Sequence, residues 1–313
     1  MESKPGVWLN NQIIPWEDAH VSLLSHGFSR GSAIFEVFGT YPSRVGTKAF
    51  RMDKHLERLS TSVKLLGMEM KYSTHEIASA VSKLARNNNF GRGIVKILSF
   101  WGEEAAINLL LDSKLDVAIF TIPESQALNL DQSRPITACF SKWRKLHPET
   151  VPVQAKACAH YLNGYLIRKD ANDRGFDLGI TVGTDGFVAE GSIESVFIIK
   201  DGCLKTPPLG RILESITRKS IIRLAMDHDI PIVETALNKD DLLTADEMFT
   251  SHTGIRVSII KQLENRKFHV PGPITTHIRE LLNNVFSFKS DRYSHWFQLL
   301  SQNDKKTNNA KCG

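Results

Sequence analysis

The alternation of apolar and polar positions divides the chain into strands and helices in mixed order. Near the start, "GVWLNNQII" and "HVSLLS" read as strands. "SAIFEVFGTY" and "TKAFRM" read as a strand pair joined by a polar turn containing Pro42 and Gly46. The period then lengthens. In "DKHLERLSTSVKLLG", His55, Leu56, Leu59, Val63 and Leu66 recur at helical spacing. Asp53 stands where it can cap this helix and Gly67 where it can stop it. Ser73 and Glu76 make a capping box for a second helix running to about Arg86. "GIVKILSFW" and "LDVAIFTI" return to strand.

"PESQALNLDQSRP" has neither period and is bracketed by Pro123 and Pro135, so it reads as a linker. "ITACFSKW" restarts as strand, and "VPVQAKACAHYLNGYLIRK" opens a helix near Lys156. Two hairpins follow, turning at Asp185-Gly186 and Asp201-Gly202; Asp-Gly supplies the positive φ angles that a tight hairpin turn needs. "LESITRKSIIRLAMDHD" is a helix, "DEMFTSHTGIRVSII" a strand, loop and strand, and "ITTHIRELLNNVFSF" a last helix. The expected organisation is an α/β chain of two domains. A small one spans 1–122, a linker 123–135, a larger one 136–300, and a polar, disordered tail 301–313.

Composition narrows the function. The 313 residues are 42% hydrophobic and 23% charged, enough for a sizeable core. A net charge of +5 is mild over this length; it favours anionic small molecules without arguing for nucleic acid. No apolar run is long enough to span a membrane. "MESKPGVWLN" lacks the apolar core of a secretory leader. Cys139, Cys158, Cys203 and Cys312 form no C-x-x-C pair and no Cys/His set with zinc spacing. They read as reduced thiols in a cytoplasmic protein, with no metal site.

Three features could carry chemistry. Lys156 follows the extended stretch around Pro152 and has only the small neighbours Ala155, Ala157, Cys158 and Ala159. A desolvated lysine there could attack an aldehyde and form a Schiff base. A surface lysine snorkelling from a helix start is the commoner situation. Glu190 ends a hairpin strand in "VAEGS" and could hold a cationic ring nitrogen; an exposed turn acid is the plain alternative. Anion contacts could come from Arg51, from the helix start at Ile216 and Thr217, and from Thr253 with the Gly254 amide. Each of these also has an ordinary structural use, as ion pair, cap or turn residue.

Their order is more specific than any one of them. The chain resembles the class IV pyridoxal-phosphate enzymes, the group of branched-chain aminotransferases, D-amino-acid aminotransferases and aminodeoxychorismate lyases. The resemblance runs from "GVWLNNQIIPWEDAHVSLLSHGFSRGSAIFEVF" to "DEMFTSHTGIRVSII", through "FRMDKHLERL", "KACAHYLNGYL", "VAEGSIESVF", "KDGCLKTPP" and "ILESITRKSII". It implies the type IV fold, a small α/β domain and a larger one with a barrel-like sheet, with pyridoxal 5'-phosphate between them. It implies that Lys156 is the Schiff-base lysine, that Tyr161 bonds the ring hydroxyl and that Glu190 meets the ring nitrogen. Leu213 would lie under the ring. Arg51, Thr217, Thr253 and the Ile216 amide would hold the phosphate. It also implies a homodimer.

For substrate, the resemblance points to "HGFSRGSAIFE", which contains Phe35, and to "GIVKILSFW". Arg30 stands where many relatives have tyrosine and could clamp a carboxylate; it could also pair with an acid such as Glu36. Lys96 stands where branched-chain enzymes tend to have arginine, as the lyases do, or points to solvent. Trp101 replaces the carboxylate-binding arginine of D-amino-acid enzymes. Arg256, Ser258-Ile259, His160 and Ser215 also depart from the usual pattern. The implied activity is amino transfer between a small, branched-chain-like amino acid and a 2-oxo acid. Release of pyruvate from aminodeoxychorismate, and transfer from a D-amino acid or an amine, are the alternatives.

Overall fold

Strand pairing sorts the chain into two sheets, and the last strand crosses back to the first. The computed structural model describes residues 5–126, 128, 130 and 134–302. Part of the expected linker and the expected tail from 303 onward lie outside these residues. The first sheet is antiparallel and, among the described residues, has seven strands. Their spatial order is Phe297–Gln302, Gly46–Phe50, Ile34–Ser43, Gly93–Phe100, Asp116–Pro123, Val7–Leu9 and Gln12–Ile14. The second, mixed sheet has eight in the order Ile232–Glu234, Cys203–Thr206, Ser195–Lys200, Glu247–Ser251, Ser258–Leu263, Ile136–Phe140 and Leu178–Ile180, with Arg266–Lys267 beside Ser258–Leu263.

The helices cover these sheets along the faces that the periodicity marked. Met52–Leu65 and Thr74–Asn87 lay Leu56, Leu59, Ile77, Val81 and Leu84 on Ile34, Phe38, Val95 and Ile97 of the first sheet. Truncating a fully buried leucine such as Leu59 to alanine costs about 2–5 kcal/mol. The capping box at Ser73 and Glu76 is present. Asp53 does not cap its helix. It lies in the first turn, and Arg51 is the N-cap residue in the left-handed conformation, φ 50°.

Ile216–Asp227 and Pro273–Phe286 pack on the second sheet, and their cluster also takes in Tyr41, Phe50 and Phe297 from the first. Phe197 and Phe249 stack in it with centroids 4.8 Å apart. This shared core ties the two sheets together.

Three expectations change. "HVSLLS" forms no strand; Leu23 and Leu24 are exposed there, and only Ser25 makes an isolated bridge, to Glu104. The turn at Asp185-Gly186 closes on a single Val182–Val188 bridge, not a full hairpin. Phe297–Gln302, unmarked by its pattern, pairs with Gly46–Phe50 of the first sheet, so Ser301 and Gln302 belong to a strand. Among the described residues no helix is long and apolar enough to cross a membrane.

Candidate active site

The main chain of Lys156 is held by two hydrogen bonds to the first-sheet half of the chain. Its N–H donates to Ser62 Oγ at 3.0 Å, and its carbonyl accepts from the Phe35 N–H at 3.1 Å. The helix begins later than the sequence predicts: a single tight turn covers Cys158–His160, and the α-helix is Tyr161–Asp173. Gly164 lets this helix approach Ser192 closely; a Cβ there would fall 2.6 Å from the Ser192 carbonyl oxygen.

Placed at the start of the α-helix, Tyr161 brings its phenol oxygen 2.5 Å from Lys156 Nζ. The amine also lies 4.6 Å from the Phe35 ring centroid. Lys156 is half-buried as a residue, with its amine set against Tyr161 and Phe35. Burial pushes the amine down from 10.5 to about 7; the Arg58 cation adds to the fall, and Glu36 and Glu190 oppose it. Burial pushes the Tyr161 phenol up, so it stays protonated.

Glu190, Leu213, Lys156 and Tyr161 line one small cavity, with Lys145 and His160. The Glu190 carbonyl is held by the Thr181 N–H at 2.8 Å and hydroxyl at 2.6 Å. Its side-chain Oε1 accepts from the Lys145 ammonium. Oε2 has no partner among the described residues. Glu190 is thus a buried, partnered carboxylate with one free oxygen, not an exposed turn acid. Lys145 was missed in the sequence; 45 positions from its partner, it leaves no local pattern.

A second group of residues suits an anion. Arg51 is 8% exposed. Its N–H is fixed to the Trp296 carbonyl at 2.6 Å and its guanidinium sits 4.8 Å from that ring. Among the described residues no acceptor takes a guanidinium N–H of Arg51. Ser215, not Thr217, caps the helix Ile216–Asp227 by accepting from the Arg218 N–H at 3.2 Å. The first-turn N–H groups of Ile216 and Thr217 lack intrahelical partners, as at any helix start. Thr253 lies in the loop after Glu247–Ser251, where the Gly254 N–H donates to His252 Nδ1 at 3.1 Å. No direct contact joins Arg51, Thr217 or Thr253 to Lys156.

The expected substrate residues divide. Phe35 packs edge-on against Tyr161, centroids 4.7 Å apart, and Lys96 Nζ stands 5.5 Å from the Phe35 ring. Arg30 is exposed and donates to the Ala106 carbonyl at 2.9 Å. It does not pair with Glu36, which is taken by Arg58 and His55. Arg30 lines a larger, mostly apolar cavity of about 610 Å³ with Phe28, Leu98, Phe100, Phe120, Cys158 and Leu162. Trp101 is buried and donates to the Ser113 carbonyl. Arg256 lies against the Phe286 ring.

Known proteins resemble the chain over most of its length. The branched-chain-amino-acid aminotransferases of Escherichia coli K12 and Pseudomonas aeruginosa are each 30% identical to the chain. The first aligns over 95% of this chain and 97% of its own length, the second over 96% and 99%. Among solved structures, the branched-chain aminotransferase of Thermoproteus uzoniensis with norvaline matches at a TM-score of 0.90 and 32% identity, covering 95% of this chain and all of that one. The T.th. branched-chain amino acid aminotransferase complexed with N-(5'-phosphopyridoxyl)-L-glutamate matches at 0.88 and 26%, over 95% and 99%. The mixed α/β fold is therefore that of the type IV enzymes, as the motif order implied. The family model for amino-transferase class IV matches residues 33–263, which include Lys156, Tyr161, Glu190 and Thr253, and the chain belongs to that family.

Proposed function

We propose that the protein is a pyridoxal-phosphate-dependent aminotransferase acting between a branched-chain-like amino acid and a 2-oxo acid, with Lys156 as its reacting amine. The observation that carries this reading is the buried Lys156 amine, 2.5 Å from Tyr161 in a cavity it shares with Glu190.

The residues fit the cofactor. Arg51 is a buried guanidinium with no acceptor among the described residues, a poor arrangement for the protein alone and a good one for a phosphate. Ile216 and Thr217 offer helix-start N–H groups, and Thr253 a hydroxyl. Glu190 has a free oxygen for the ring nitrogen, Tyr161 a phenol for the ring hydroxyl, and Leu213 an apolar wall. Pyridoxal phosphate, bound there, supplies an aldehyde that takes up amines and a ring that accepts electrons.

The chain's own groups do the rest. The Lys156 amine, lowered to about 7, would take the proton from the substrate α-carbon and return it at the cofactor's C4′ carbon. Glu190, anchored by Lys145, keeps the ring nitrogen protonated. Phe35 and Lys96 would shape the substrate side, with Arg30 on the larger cavity and Gly254 as a further candidate.

The relatives favour amino transfer over the lyase and D-amino-acid readings. A branched-chain-like substrate is supported by their names and by the apolar walls of the larger cavity.

A homodimer belongs with this reading. Leu23, Ile107 and Leu110 are 75%, 85% and 85% exposed, and the apolar cavity opens on the same part of the chain. A second copy would cover these side chains.

Lys156→Ala tests the whole reading. It should abolish turnover and the visible absorbance of the bound cofactor together; retention of both would sink it. Mixing the enzyme with single amino acids of either hand, and following that absorbance, then identifies the donor.

A further inference from the structure

One helix, Met52–Leu65, reaches three parts of the site. Arg58 on it is buried, and its guanidinium forks onto Glu36. Nε donates to Oε1 and Nη2 to Oε2, both at 2.7 Å, while Nη1 donates to the Glu214 carbonyl at 2.7 Å. His55, one turn earlier, donates from Nδ1 to Glu36 Oε2 at 2.7 Å. One turn later, Ser62 Oγ accepts the Lys156 N–H and donates to the Arg58 carbonyl at 2.9 Å.

The residues at the far ends of these bonds are site residues or their neighbours. Glu36 follows Phe35, whose N–H holds the Lys156 carbonyl. Glu214 follows Leu213 and lies two positions before Ile216. A single guanidinium therefore joins the Phe35 strand of the first sheet to the loop that opens the phosphate-facing helix of the second. The same helix grips Lys156 between them.

Stability alone is a weak reason for such a group. Glu36 is fully buried, and a well-packed apolar pair often serves a core as well as a buried ion pair. Its placement supplies a better one. A guanidinium keeps its charge at any working pH and reads a carboxylate with two parallel bonds, so it is fixed in both position and charge. Of the charges around Lys156, the Arg58 cation acts on its amine most strongly.

We propose that Arg58, locked by Glu36, is a positioning residue for the reaction: it fixes Lys156 against Phe35 and the Glu214 loop and sets a permanent cation within reach of the amine. The inference rests on Lys156 being the reacting amine.

The test is the pH dependence of Lys156 acylation in the cofactor-free full chain, read by mass spectrometry of its peptide, beside a pH titration of the bound cofactor's absorbance. The parent midpoint is expected at about 7. Arg58→Met should raise it by about one unit, a tenfold change in proton affinity. Arg58→Lys, which keeps a cation, should bring it back towards the parent value. A merely structural Arg58 would lower the melting temperature and leave the midpoint in place, and that result overturns the proposal.

Should Arg58→Met not fold, Glu36→Gln/Arg58→Met removes both charges and leaves no orphan. The midpoint should still rise, since Arg58 outweighs Glu36 at the amine; an unmoved or lower midpoint overturns the proposal. Lys156→Ala separates the two readings. If it keeps both turnover and the cofactor absorbance, the aminotransferase reading falls. If it loses the absorbance while Arg58→Met leaves the midpoint unmoved, only the role of Arg58 falls.

Discussion

The amine of Lys156 and the phenol oxygen of Tyr161 stand 2.5 Å apart, with the Phe35 ring against both. Because burial keeps the phenol protonated, its oxygen accepts from a charged lysine and its hydrogen serves a neutral one. Tyr161→Phe keeps the ring contact and removes only this bond. Turnover should fall about ten- to hundredfold, the worth of a hydrogen bond to a charged group. Cofactor should still bind. Steady-state kinetics beside absorbance spectra decide it, and an unchanged kcat would remove Tyr161 from the chemistry.

Arg51 makes a prediction with two arms. Its guanidinium has no acceptor among the described residues, and burial disfavours its charge more than Asp53 and Glu57 favour it, so neutralising it relieves a desolvation cost in the cofactor-free protein. Arg51→Gln should leave that protein's melting temperature unchanged or higher, yet weaken pyridoxal phosphate binding at least about tenfold through loss of a charge-assisted contact. Melting curves and a fluorescence titration measure the two arms. A lower melting temperature with unchanged affinity would make Arg51 only a cover for Trp296.

Local rules carried much of this in advance. The period of Leu56, Leu59 and Val63, the box at Ser73 and Glu76, and the Asp201-Gly202 turn with φ of 52° and 74° all form as their residues dictate. Motif order brought Lys156, Tyr161, Glu190 and Leu213 to attention, and they share a cavity.

What stayed hidden depends on distant partners. Phe297–Gln302 is a strand because Gly46–Phe50 offers it an edge, about 250 positions away. "HVSLLS" alternates correctly but finds no strand to pair with. Lys145 matters only because the fold sets it beside Glu190. Arg30 loses Glu36 because the helix Met52–Leu65 lies on that strand and supplies Arg58 first.

Glu36 predicts how the fold responds to acid. Burial alone would raise its pKa, but the charge and hydrogen bonds of Arg58, with His55, lower it from 4.5 to about 2. A carboxylate lowered in the folded state stabilises it above the unfolded value and ceases to do so as pH falls through the folded one. The contribution is about 3 kcal/mol. It should be complete above pH 4.5 and vanish towards pH 2. Urea unfolding across that window should show a steep loss of stability that Glu36→Gln lacks. Equal slopes in both proteins would rule this out.

The exposed apolar loop predicts an assembly. Ile107 and Leu110 are each 85% exposed, more than a lone chain gains from. Replacing both with aspartate should convert a dimer into a monomer in sedimentation and reduce turnover with it. A parent protein that sediments as a fully active monomer would end the dimer proposal.

Lys96 predicts the choice of amino acceptor. It sits mid-strand, registered between Val37 and Phe120, with its ammonium near the Phe35 ring and no carboxylate partner among the described residues. The surrounding Phe35, Leu98 and Phe120 suit a branched side chain; a cation among them suits the second carboxylate of a dicarboxylic 2-oxo acid. One pocket can serve both if the ammonium lies at its edge and the rings form its floor. Lys96→Met should therefore lower kcat/KM for dicarboxylic 2-oxo acids about ten- to hundredfold, the loss of a charge-assisted bond. It should leave branched 2-oxo acids nearly unchanged, since their apolar contacts remain. Paired measurements on one preparation separate the two. An equal fall for both classes would mean that Lys96 supports the strand and not the substrate.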